Sequence, residues 1–307
     1  MPAPAAPLAG EKILITGPTS QVAFPLARAL AASNEVYGLA RFARAKDVAR
    51  VEAIGVRPLK ADLATDALDG VPDDFTYVLN FAVVKSGDFD YDLAANAEGA
   101  GRLVAHCRGA KAFLHCSSGA VYQAGAAAPL KESDPLGDNH RALFPTYSLS
   151  KIAAEAVVRF AARQGGVPAT IARVSVPYGD NGGWPWFHLL MLAADHPIPV
   201  HRDGPSRYNL LHEDDYTAQV PALLAAARVP ATVVNWGGAE ASVEEWCAYL
   251  GELTGRTPRF EPTAAAIPSL PMDLTRMHAL IGPARTPWRD GVRRMVAARN
   301  PELLRAG

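Results

Sequence analysis

The sequence has no long apolar run, no secretion signal and almost no net charge. None of its apolar runs reaches the roughly 18 residues that a membrane-spanning helix needs. The N-terminal stretch "MPAPAAPLAG" lacks the basic start and the leucine-rich core of a signal peptide. The formal net charge of -1 gives no reason to expect nucleic acid or a membrane surface as a partner. We therefore expect a protein that acts on a small molecule.

Cysteine is scarce, and the histidines are not paired. Cys107, Cys116 and Cys247 lie far apart in apolar patterns, which favours buried free thiols over a disulfide framework. The eight histidines show no spacing typical of metal ligands, so we expect no metal site. A reducing, cytoplasmic location follows as the default expectation.

What the sequence does have is a series of short apolar runs that alternate with helical spacing. Hydrophobic residues make up 49% and charged residues 20%, enough for a sizeable core. Apolar β-type runs cover 12–16, 35–40, 56–63, 75–84, 111–118 and 169–176. Helical spacing covers 22–32, 43–55, 91–109 and 145–164. This alternation predicts an α/β fold, a Rossmann-type doubly wound parallel sheet with helices on both faces.

After residue 177 the alternation loosens, and proline, glycine and tryptophan become frequent. Helical stretches recur at 184–195, 215–227, 242–254 and 288–299, with one β-type run at 231–238. We predict a dinucleotide-binding domain over 11–177 and a smaller C-terminal substrate-binding lobe over most of 178–307, with 212–238 returning to the main sheet. Residues 1–10 are expected to be a disordered lead-in, and 123–129 a loop.

The stretch "TGPTSQVAFP" follows the first strand like a phosphate loop, but it contains a single glycine. Gly17 keeps the tight turn, and Ala23 is an accepted replacement where the third glycine packs helix on strand. Ser20 replaces the second glycine, and its hydroxyl can hydrogen-bond a phosphate oxygen. The N–H groups of Gln21 and Val22 open a helix toward that oxygen. Taken alone, the loop leaves a working site, a relic and a chance likeness open.

Tyr147 and Lys151 are four residues apart on a predicted helix and therefore lie on one face. An ammonium close to a phenol lowers its pKa from about 10, which suits a general acid/base for an alcohol–carbonyl couple. Many solvated helices carry such a pair, so the pair alone is weak evidence. The preceding strand ends in Ser117 and Ser118, at the edge where open α/β sheets bind ligands. The order of strand, serines, loop and Tyr-x-x-x-Lys helix strengthens the catalytic interpretation.

These pieces, in this order, resemble an extended short-chain dehydrogenase/reductase of the NAD-dependent epimerase/dehydratase type. The resemblance covers about residues 11–299. The matching stretches are "ITGPTSQVA", "ADL" (61–63), "LNFAV" (79–83), "NAEGAGRLV" (96–104), "CSSGAVY" (116–122), "YSLSK" (147–151), "RVSVPYG" (173–179), "LLHEDDYTAQV" (210–220) and "VVNWGGAEASVEEWCAYLGELTG" (233–255).

The resemblance implies roles for the matching residues. Tyr147 is the expected acid/base, Lys151 tunes it and holds the nicotinamide ribose, Ser118 orients the substrate, and Ser117 supports the nicotinamide end. The other expected cofactor-binding residues are Gly17, Thr19, Ser20, Gln21, Val22, Asp62, Leu63, Phe81, Ala82, Val83, Asn96 and Val174. Ordinary strand packing remains an equal alternative for 81–83, as does a structural role for Asn96.

The end of the second strand departs from relatives that prefer NAD. Ala40 stands where they carry an acid, and Arg41 follows, with Arg44 and Lys46 close by. A guanidinium in place of a carboxylate suits a 2′-phosphate. We therefore expect NADP(H) to be favoured over NAD(H), with Arg41 as the cofactor residue. Arg44 and Lys46 are explained equally well as a solvated basic loop.

Other departures concern the substrate. Gly119 and Ala120 replace the acid pair of 4,6-dehydratases, so dehydration is not expected. Val176 and Tyr208 stand where sugar-nucleotide epimerases carry an asparagine and a diphosphate-binding arginine, although Arg207 is adjacent. These losses favour a smaller or less charged substrate. The expected substrate-binding residues are Val176, Tyr178, Trp184, Trp186, His188 and Tyr208, with His140 a further candidate. The alternative for the two tryptophans is packing at a helix start.

Three functions remain open. The leading one is an NAD(P)-dependent oxidoreductase that transfers hydride between nicotinamide and a carbonyl or alcohol of a small organic substrate. The second is an epimerase, with a sugar nucleotide as one substrate class, that uses the same residues without net cofactor turnover. The third is a non-catalytic dinucleotide-sensing protein. Relatives often dimerise through the helices that carry Tyr147 and Asn96, so the resemblance also implies a homodimer.

Overall fold

The structure is a computed structural model that describes residues 5–65, 67–123 and 128–305. The strands are β1 (Lys12–Thr16), β2 (Glu35–Ala40), β3 (Arg57–Lys60), β4 (Tyr77–Asn80), β5 (Ala112–Ser118), β6 (Ala169–Val174), β7 (Val176–Gly179), β8 (Gly182–Gly183), β9 (Ile198–His201), β10 (Arg207–His212), β11 (Thr232–Trp236), β12 (Glu240–Ser242) and β13 (Phe260–Thr263). The helices are α1 (Ala23–Ala31), α2 (Ala45–Glu52), α3 (Phe89–Leu93), α4 (Gly99–His106), α5 (Tyr147–Gly165), α6 (Trp184–Ala193), α7 (Glu213–Ala225), α8 (Val243–Thr254), α9 (Thr275–Ile281) and α10 (Trp288–Arg299).

The main sheet has seven parallel strands in the order β11-β6-β5-β4-β1-β2-β3. Side chains alternate across each strand. On β1, Ile13 and Ile15 join the core on one face, and Leu14 joins the core on the other. The strand order reverses between β4 and β1, which opens a crevice at the carboxyl ends of the strands. The expected Rossmann-type doubly wound fold is confirmed.

A second sheet, in the order β12-β10-β7-β8, carries the later part of the chain. Its core contains Tyr208, Trp246 and residues of α6, α8 and α10. The chain returns from β10 through α7 to β11, which pairs with β6 of the main sheet. Strand β7 begins at Val176, beside the expected boundary at 177; the division into two domains stays a prediction.

The beginning of the chain departs from the expected lead-in. The carbonyl oxygen of Leu8 accepts from Ser33 Oγ at 3.0 Å and from Asn34 Nδ2 at 2.9 Å, and the Gly10 N–H donates to Ser33 O at 2.8 Å. Leu8 also packs on the core. This part of the lead-in therefore belongs to the folded structure. Residues 1–4, and 124–127 of the expected loop, lie outside the described residues.

The expected helix over 91–109 is interrupted by a π-turn. α3 and α4 are joined by Ala94–Glu98, which has π-helical geometry. A π-bulge inserts an extra residue into a helix and redirects one side chain. Here the turn contains the buried Asn96, which contacts both the loop after β4 and the helix α5. None of the described helices is long and apolar enough to cross a membrane.

Helix α5 has exposed apolar side chains on its open side, although Ile152 and Val157 of the same helix are half-buried. Leu149 and Phe160 are 40% and 65% exposed, and Ala156 lies on the same open side. The side turned toward the sheet buries mostly small and polar groups: Ser148, Ser150, Lys151, Ala154, Glu155, Val158 and Ala162. The three cysteines are buried free thiols, as expected from their apolar surroundings.

Candidate active site

Two clefts lie at the carboxyl edge of the main sheet. The first, here called the glycine-loop cleft, has a volume of about 400 Å³ and is lined by 17, 19–20, 39–44, 47, 61–63, 82–84 and 95–96. The second, the tyrosine cleft, has a volume of about 450 Å³ and contains Ser118 and Tyr147. Neighbouring residues line different clefts: Ser20 and Val84 line the glycine-loop cleft, and Gln21 and Lys85, the next residues along the chain, line the tyrosine cleft. The two clefts therefore adjoin.

Gly17 makes the loop after β1 possible. Its φ is +65°, and a Cβ there would lie 3.0 Å from Ala82 Cα, so only glycine allows the two backbones to cross this closely. Next to it, the Thr16 hydroxyl accepts from the N–H groups of Phe81 and Ala82 at 3.0 and 2.9 Å and donates to Asn80 at 2.7 Å. The loop is thus fixed against the end of β4. The glycine-loop cleft therefore fits a dinucleotide. The tight turn and the helix start suit its phosphates, and Asp62 supplies the acid that can bind its adenosine end.

Ser20 contacts the first residue of the helix that follows the loop. Its Oγ accepts from the Ala23 N–H at 3.2 Å, which leaves the hydroxyl proton available to a phosphate oxygen. Gln21 turns to the second sheet instead: its amide donates to Gly182 O at 3.4 Å, and its carbonyl accepts from Asn181 at 2.8 Å. Val22 packs on the core and lines neither cleft.

A chain of hydrogen bonds joins Arg41 and Asp62, two residues that line the glycine-loop cleft. Arg41 Nη1 donates to the Tyr91 hydroxyl at 3.0 Å, and that hydroxyl donates to Asp62 at 2.7 Å. Arg44 is paired with Asp47 through contacts of 2.8 and 3.0 Å. The sequence showed that Ala40 replaces an acid at the end of β2, but it did not predict that Asp47 lines this cleft. Arg41 and Arg44 therefore already have a phenol and a carboxylate partner, respectively.

Not every expected cofactor residue reaches this cleft. Leu63, Ala82 and Val83 line it. Phe81 and Val174 are instead buried in the main core, 5% and 7% exposed. For Phe81 this burial favours the strand-packing alternative, and Val174, for which no alternative was given, is buried in the same core.

Asn96 lines the glycine-loop cleft but directs its polar atoms to protein groups. Its Oδ1 accepts from the Val84 N–H at 2.8 Å, and its Nδ2 donates to Val84 O at 2.8 Å and to Ser150 Oγ at 3.1 Å. It therefore ties the loop after β4 to α5. This structural role was one of the two alternatives left open.

Tyr147 and Ser118 meet in the tyrosine cleft, which both side chains line. Ser118 ends β5, and Tyr147 begins α5. Lys151, one turn further along α5, is buried and donates through Nζ to the Cys116 carbonyl oxygen at 2.8 Å. The structure thus brings the three expected catalytic residues to one place.

The electrostatics of Tyr147 differ from the expectation. Burial raises the pKa of Tyr147 to about 12, against a smaller lowering by the nearby Ser118 hydroxyl. Burial also lowers the pKa of Lys151. The phenol pKa is therefore raised and not lowered as expected, because desolvation of the phenolate is the dominant cause and the Lys151 ammonium is directed to the Cys116 carbonyl.

Ser117 does not reach the cleft. Its hydroxyl donates to Glu155 Oε1 at 2.6 Å, inside a buried pair in which Arg173 contacts Glu155 at 2.9 and 2.7 Å. Successive strand residues point to opposite faces, so Ser117 does not share the direction of Ser118. The structure turns the Ser117 hydroxyl to Glu155, and its expected contact with nicotinamide stays a prediction.

Three of the expected substrate residues, Val176, Trp184 and Tyr208, line the tyrosine cleft, and His140 joins them. Burial and the charge of Lys85 lower the pKa of His140 to about 4, so this imidazole is neutral at neutral pH. The Tyr208 hydroxyl donates to the carbonyl oxygens of Ile267 and Pro268, at 2.8 and 2.9 Å.

The other three expected substrate residues are structural. The Tyr178 hydroxyl donates to Trp288 O at 3.2 Å, and Trp186 Nε1 donates to Asn300 at 3.0 Å. His188 accepts from Trp246 Nε1 at 2.8 Å in the core of the second sheet. These three residues line neither cleft, and their polar atoms are used in packing the second sheet.

Lys85 is a functional candidate that sequence reasoning missed. Its Nζ lies 4.3 Å from the centre of the Tyr147 ring and 4.5 Å from that of Phe144, and it lines the tyrosine cleft. The residue follows β4 by five positions, at the carboxyl edge where ligands bind. That position was the available signal.

Comparison with known proteins agrees with this geometry. Residues 13–237 match the model of the NAD dependent epimerase/dehydratase family. A stretch of 125 residues is 31% identical to 2'-dehydrokanamycin reductase of Streptomyces kanamyceticus, covering 38% of this chain and only 30% of that protein.

Solved structures match over most of the chain. UDP-glucuronic acid 4-epimerase from Bacillus cereus, in complex with UDP-glucuronic acid and NAD, superposes with a TM-score of 0.79 at 19% identity, covering 94% of this chain and 98% of that one. dTDP-glucose 4,6-dehydratase from Streptomyces venezuelae, with NAD bound, superposes with a TM-score of 0.78 at 21% identity, covering 94% and 97%. At these identities the matches establish the fold.

Proposed function

Since the chain belongs to the NAD dependent epimerase/dehydratase family, we propose that this enzyme is an epimerase that inverts one carbinol carbon of a small sugar-like substrate. The observation that carries the proposal is that Tyr147 and Ser118 line one cleft, which adjoins the glycine-loop cleft. The described residues that line the tyrosine cleft include no carboxylate. Gly119 and Ala120, which line it, offer no second acid/base for an elimination, so dehydration is not part of the proposal.

The family implies a nicotinamide dinucleotide, and the glycine-loop cleft fits it. Gly17, Thr19 and Ser20 would surround the phosphates, Asp62 would face the adenosine end, and Lys151 would contact the nicotinamide ribose. The chemistry that this group supplies when bound is a reversible two-electron oxidation of a carbinol carbon.

The protein's own part is proton transfer and orientation. As a phenolate, Tyr147 takes the proton of the substrate hydroxyl, which Ser118 orients by a hydrogen bond. As a phenol, it returns the proton to the oxygen when the carbonyl is reduced on its other face. Lys151 supplies positive charge that favours the phenolate. Trp184 and Tyr208 form aromatic walls for the body of the substrate.

A second candidate is a reductase with net cofactor turnover. It is favoured by the partial likeness to 2'-dehydrokanamycin reductase and by Tyr208 standing where a diphosphate-binding arginine is expected. Proton NMR of the sugar and absorbance of reduced nicotinamide separate the two. Formation of the epimer without a net change in the absorbance of reduced nicotinamide supports the epimerase. A net change in that absorbance, equal in moles to the product formed, supports the reductase. A protein that only senses the dinucleotide would give neither signal.

We also propose that NADP(H) is preferred to NAD(H). Arg41 is an exposed guanidinium on the adenosine side of the cleft, held by Tyr91 in reach of a 2′-phosphate. The Asp47 carboxylate opposes this preference, but Arg44 neutralises it.

Finally, we propose that two copies associate through α4 and α5. The exposed stripe with Leu149 and Phe160 borders a shallow apolar cleft between these helices. Gly101 allows close packing there, since a Cβ at this position would meet Val157 at 2.5 Å. The pairing of two such surfaces would cover the exposed aromatic ring.

A further inference from the structure

Lys85 occupies a loop that is fixed on both sides. The backbone of Val84 is held at both its N–H and its carbonyl by Asn96, at 2.8 Å each. On the other side, Asp92 accepts from Ser86 N at 3.1 Å and from Ser86 Oγ at 2.7 Å. The Cα of Lys85 therefore has little freedom, although its side chain is long and flexible.

The two residues that hold this loop also hold the catalytic helix. Asn96 donates to Ser150, which precedes Lys151, at 3.1 Å. Asp92 accepts from the hydroxyl of Thr146, which precedes Tyr147. The position of Lys85 is thus tied to the position of the acid/base. The backbone that carries this ammonium is therefore preorganised relative to Tyr147, which lowers the cost of binding a ligand there.

The ammonium of Lys85 has aromatic neighbours but no acid. The rings of Tyr147 and Phe144 lie 4.3 and 4.5 Å away, and no carboxylate of the described residues forms a salt bridge with it. The side chain is open to solvent at the mouth of the tyrosine cleft. His140 beside it is neutral, so the cleft has an uncompensated positive charge on the tyrosine side.

We propose that Lys85 binds an anionic group on the same end of the substrate as the reacting carbon, so that the enzyme selects acidic sugars. This inference rests on the proposed function, which places the reacting hydroxyl at Tyr147. An anion near Lys85 would complete an ion pair that the protein itself leaves open, and a charge-assisted hydrogen bond there is strong. A carboxylate of a sugar acid and a phosphate of a sugar phosphate share this chemistry.

The test compares D-glucuronate, D-glucose 6-phosphate and D-glucose by isothermal titration. The protein is the full chain loaded with its nicotinamide dinucleotide, with Tyr147→Phe introduced to prevent turnover. We expect at least one of the two acidic sugars to bind tighter than glucose by about 10- to 100-fold, the range for a hydrogen bond to a charged group. The stronger of the two identifies the source of the anion.

Adding Lys85→Met should abolish this preference, and Lys85→Arg should keep most of it. Lys111→Met is the matched control, because it removes an exposed ammonium just before β5, at the opposite edge of the sheet. It should leave the preference unchanged. Binding of the dinucleotide alone should be the same in all these variants.

Equal binding of glucose and both acidic sugars, or binding of none of them, would overturn the proposal. So would a preference that survives Lys85→Met, or a loss confined to dinucleotide binding. Since these titrations need no turnover, they are independent of the epimerase test. If the parent protein prefers acidic sugars through Lys85 but forms no epimer, the proposed function is rejected and this inference stands. If the parent forms an epimer but shows no such preference, the proposed function stands and this inference is rejected.

Discussion

Lys151 donates its ammonium to the carbonyl oxygen of Cys116 over 2.8 Å, and this contact joins the start of α5 to the end of β5. Ser118 follows Cys116 by two residues on that strand, and Tyr147 precedes Lys151 by one helical turn. The contact therefore helps to set the separation of the two hydroxyls that face the substrate. It also fixes a positive charge close to the acid/base.

Replacing Lys151 by methionine should lower kcat by about 100-fold, at the lower end of what acid–base catalysis contributes. The phenolate of Tyr147 is the base for oxidation, so activity rises with pH toward the pKa of about 12. Removing a nearby cation raises that pKa, so less phenolate is present at any given pH and the curve moves to higher pH. Activity measured from neutral to alkaline pH checks this. An unshifted curve would show that Lys151 has no electrostatic role.

Replacing Asn96 by alanine should cost about 2–3 kcal/mol in the free energy of unfolding, since three hydrogen bonds are lost at about 1 kcal/mol each. It should also lower kcat, because the loop and α5 are no longer tied together. Asn34→Ala is a suitable control: Asn34 makes similar bonds to Leu8, Leu30 and Glu11, remote from the clefts. Urea denaturation and kcat should separate the two variants. Equal loss of activity in both would mean that Asn96 acts through stability alone.

Replacing Arg173 by methionine should destabilise the fold by about 3–5 kcal/mol, because the buried Glu155 loses its partner. The double variant with Glu155→Met should recover part of this loss, since no unpaired charge remains. Thermal unfolding of the two variants and the parent measures the difference. A double variant less stable than Arg173→Met would contradict the reasoning.

Replacing Arg41 by alanine should weaken NADPH binding by about 10- to 100-fold and leave NADH binding nearly unchanged. Fluorescence titration of both cofactors measures this. Ser20→Gly is the companion variant and should retain binding of both, because glycine is also accepted at a helix start. Equal or tighter binding of NADH by the parent protein would remove the basis for an NADP preference. Abolished binding in Ser20→Gly would instead show that the hydroxyl is required.

Replacing Phe160 by aspartate should convert a dimer to a monomer without loss of stability, because this ring is 65% exposed in the single chain. Phe260→Asp, on β13, changes another exposed aromatic residue and should leave the dimer intact. Light scattering of the three proteins gives their masses. A monomeric parent protein would refute the association through α4 and α5.

The sequence predicted the main sheet well because its strands are short apolar runs bounded by turns, and β2 coincides with the expected 35–40. It also predicted that Ser118 and Tyr147 would meet, since the carboxyl ends of parallel strands share one edge. It did not place Lys85, whose position depends on hydrogen bonds from Asp92 and Asn96 across a π-turn. The sequence also could not predict that Trp184 lines the tyrosine cleft whereas Trp186 does not, because both residues lie in one apolar helical stretch.

The most direct test of the central claim follows the absorbance of reduced nicotinamide after the loaded enzyme is mixed with its best-binding sugar. For the parent protein we predict a transient rise that decays as the epimer forms, with no net accumulation. In Tyr147→Phe the rise should be slower by about 100- to 10,000-fold, the usual contribution of a general acid/base. The same time course in parent and variant would show that Tyr147 does not move the substrate proton.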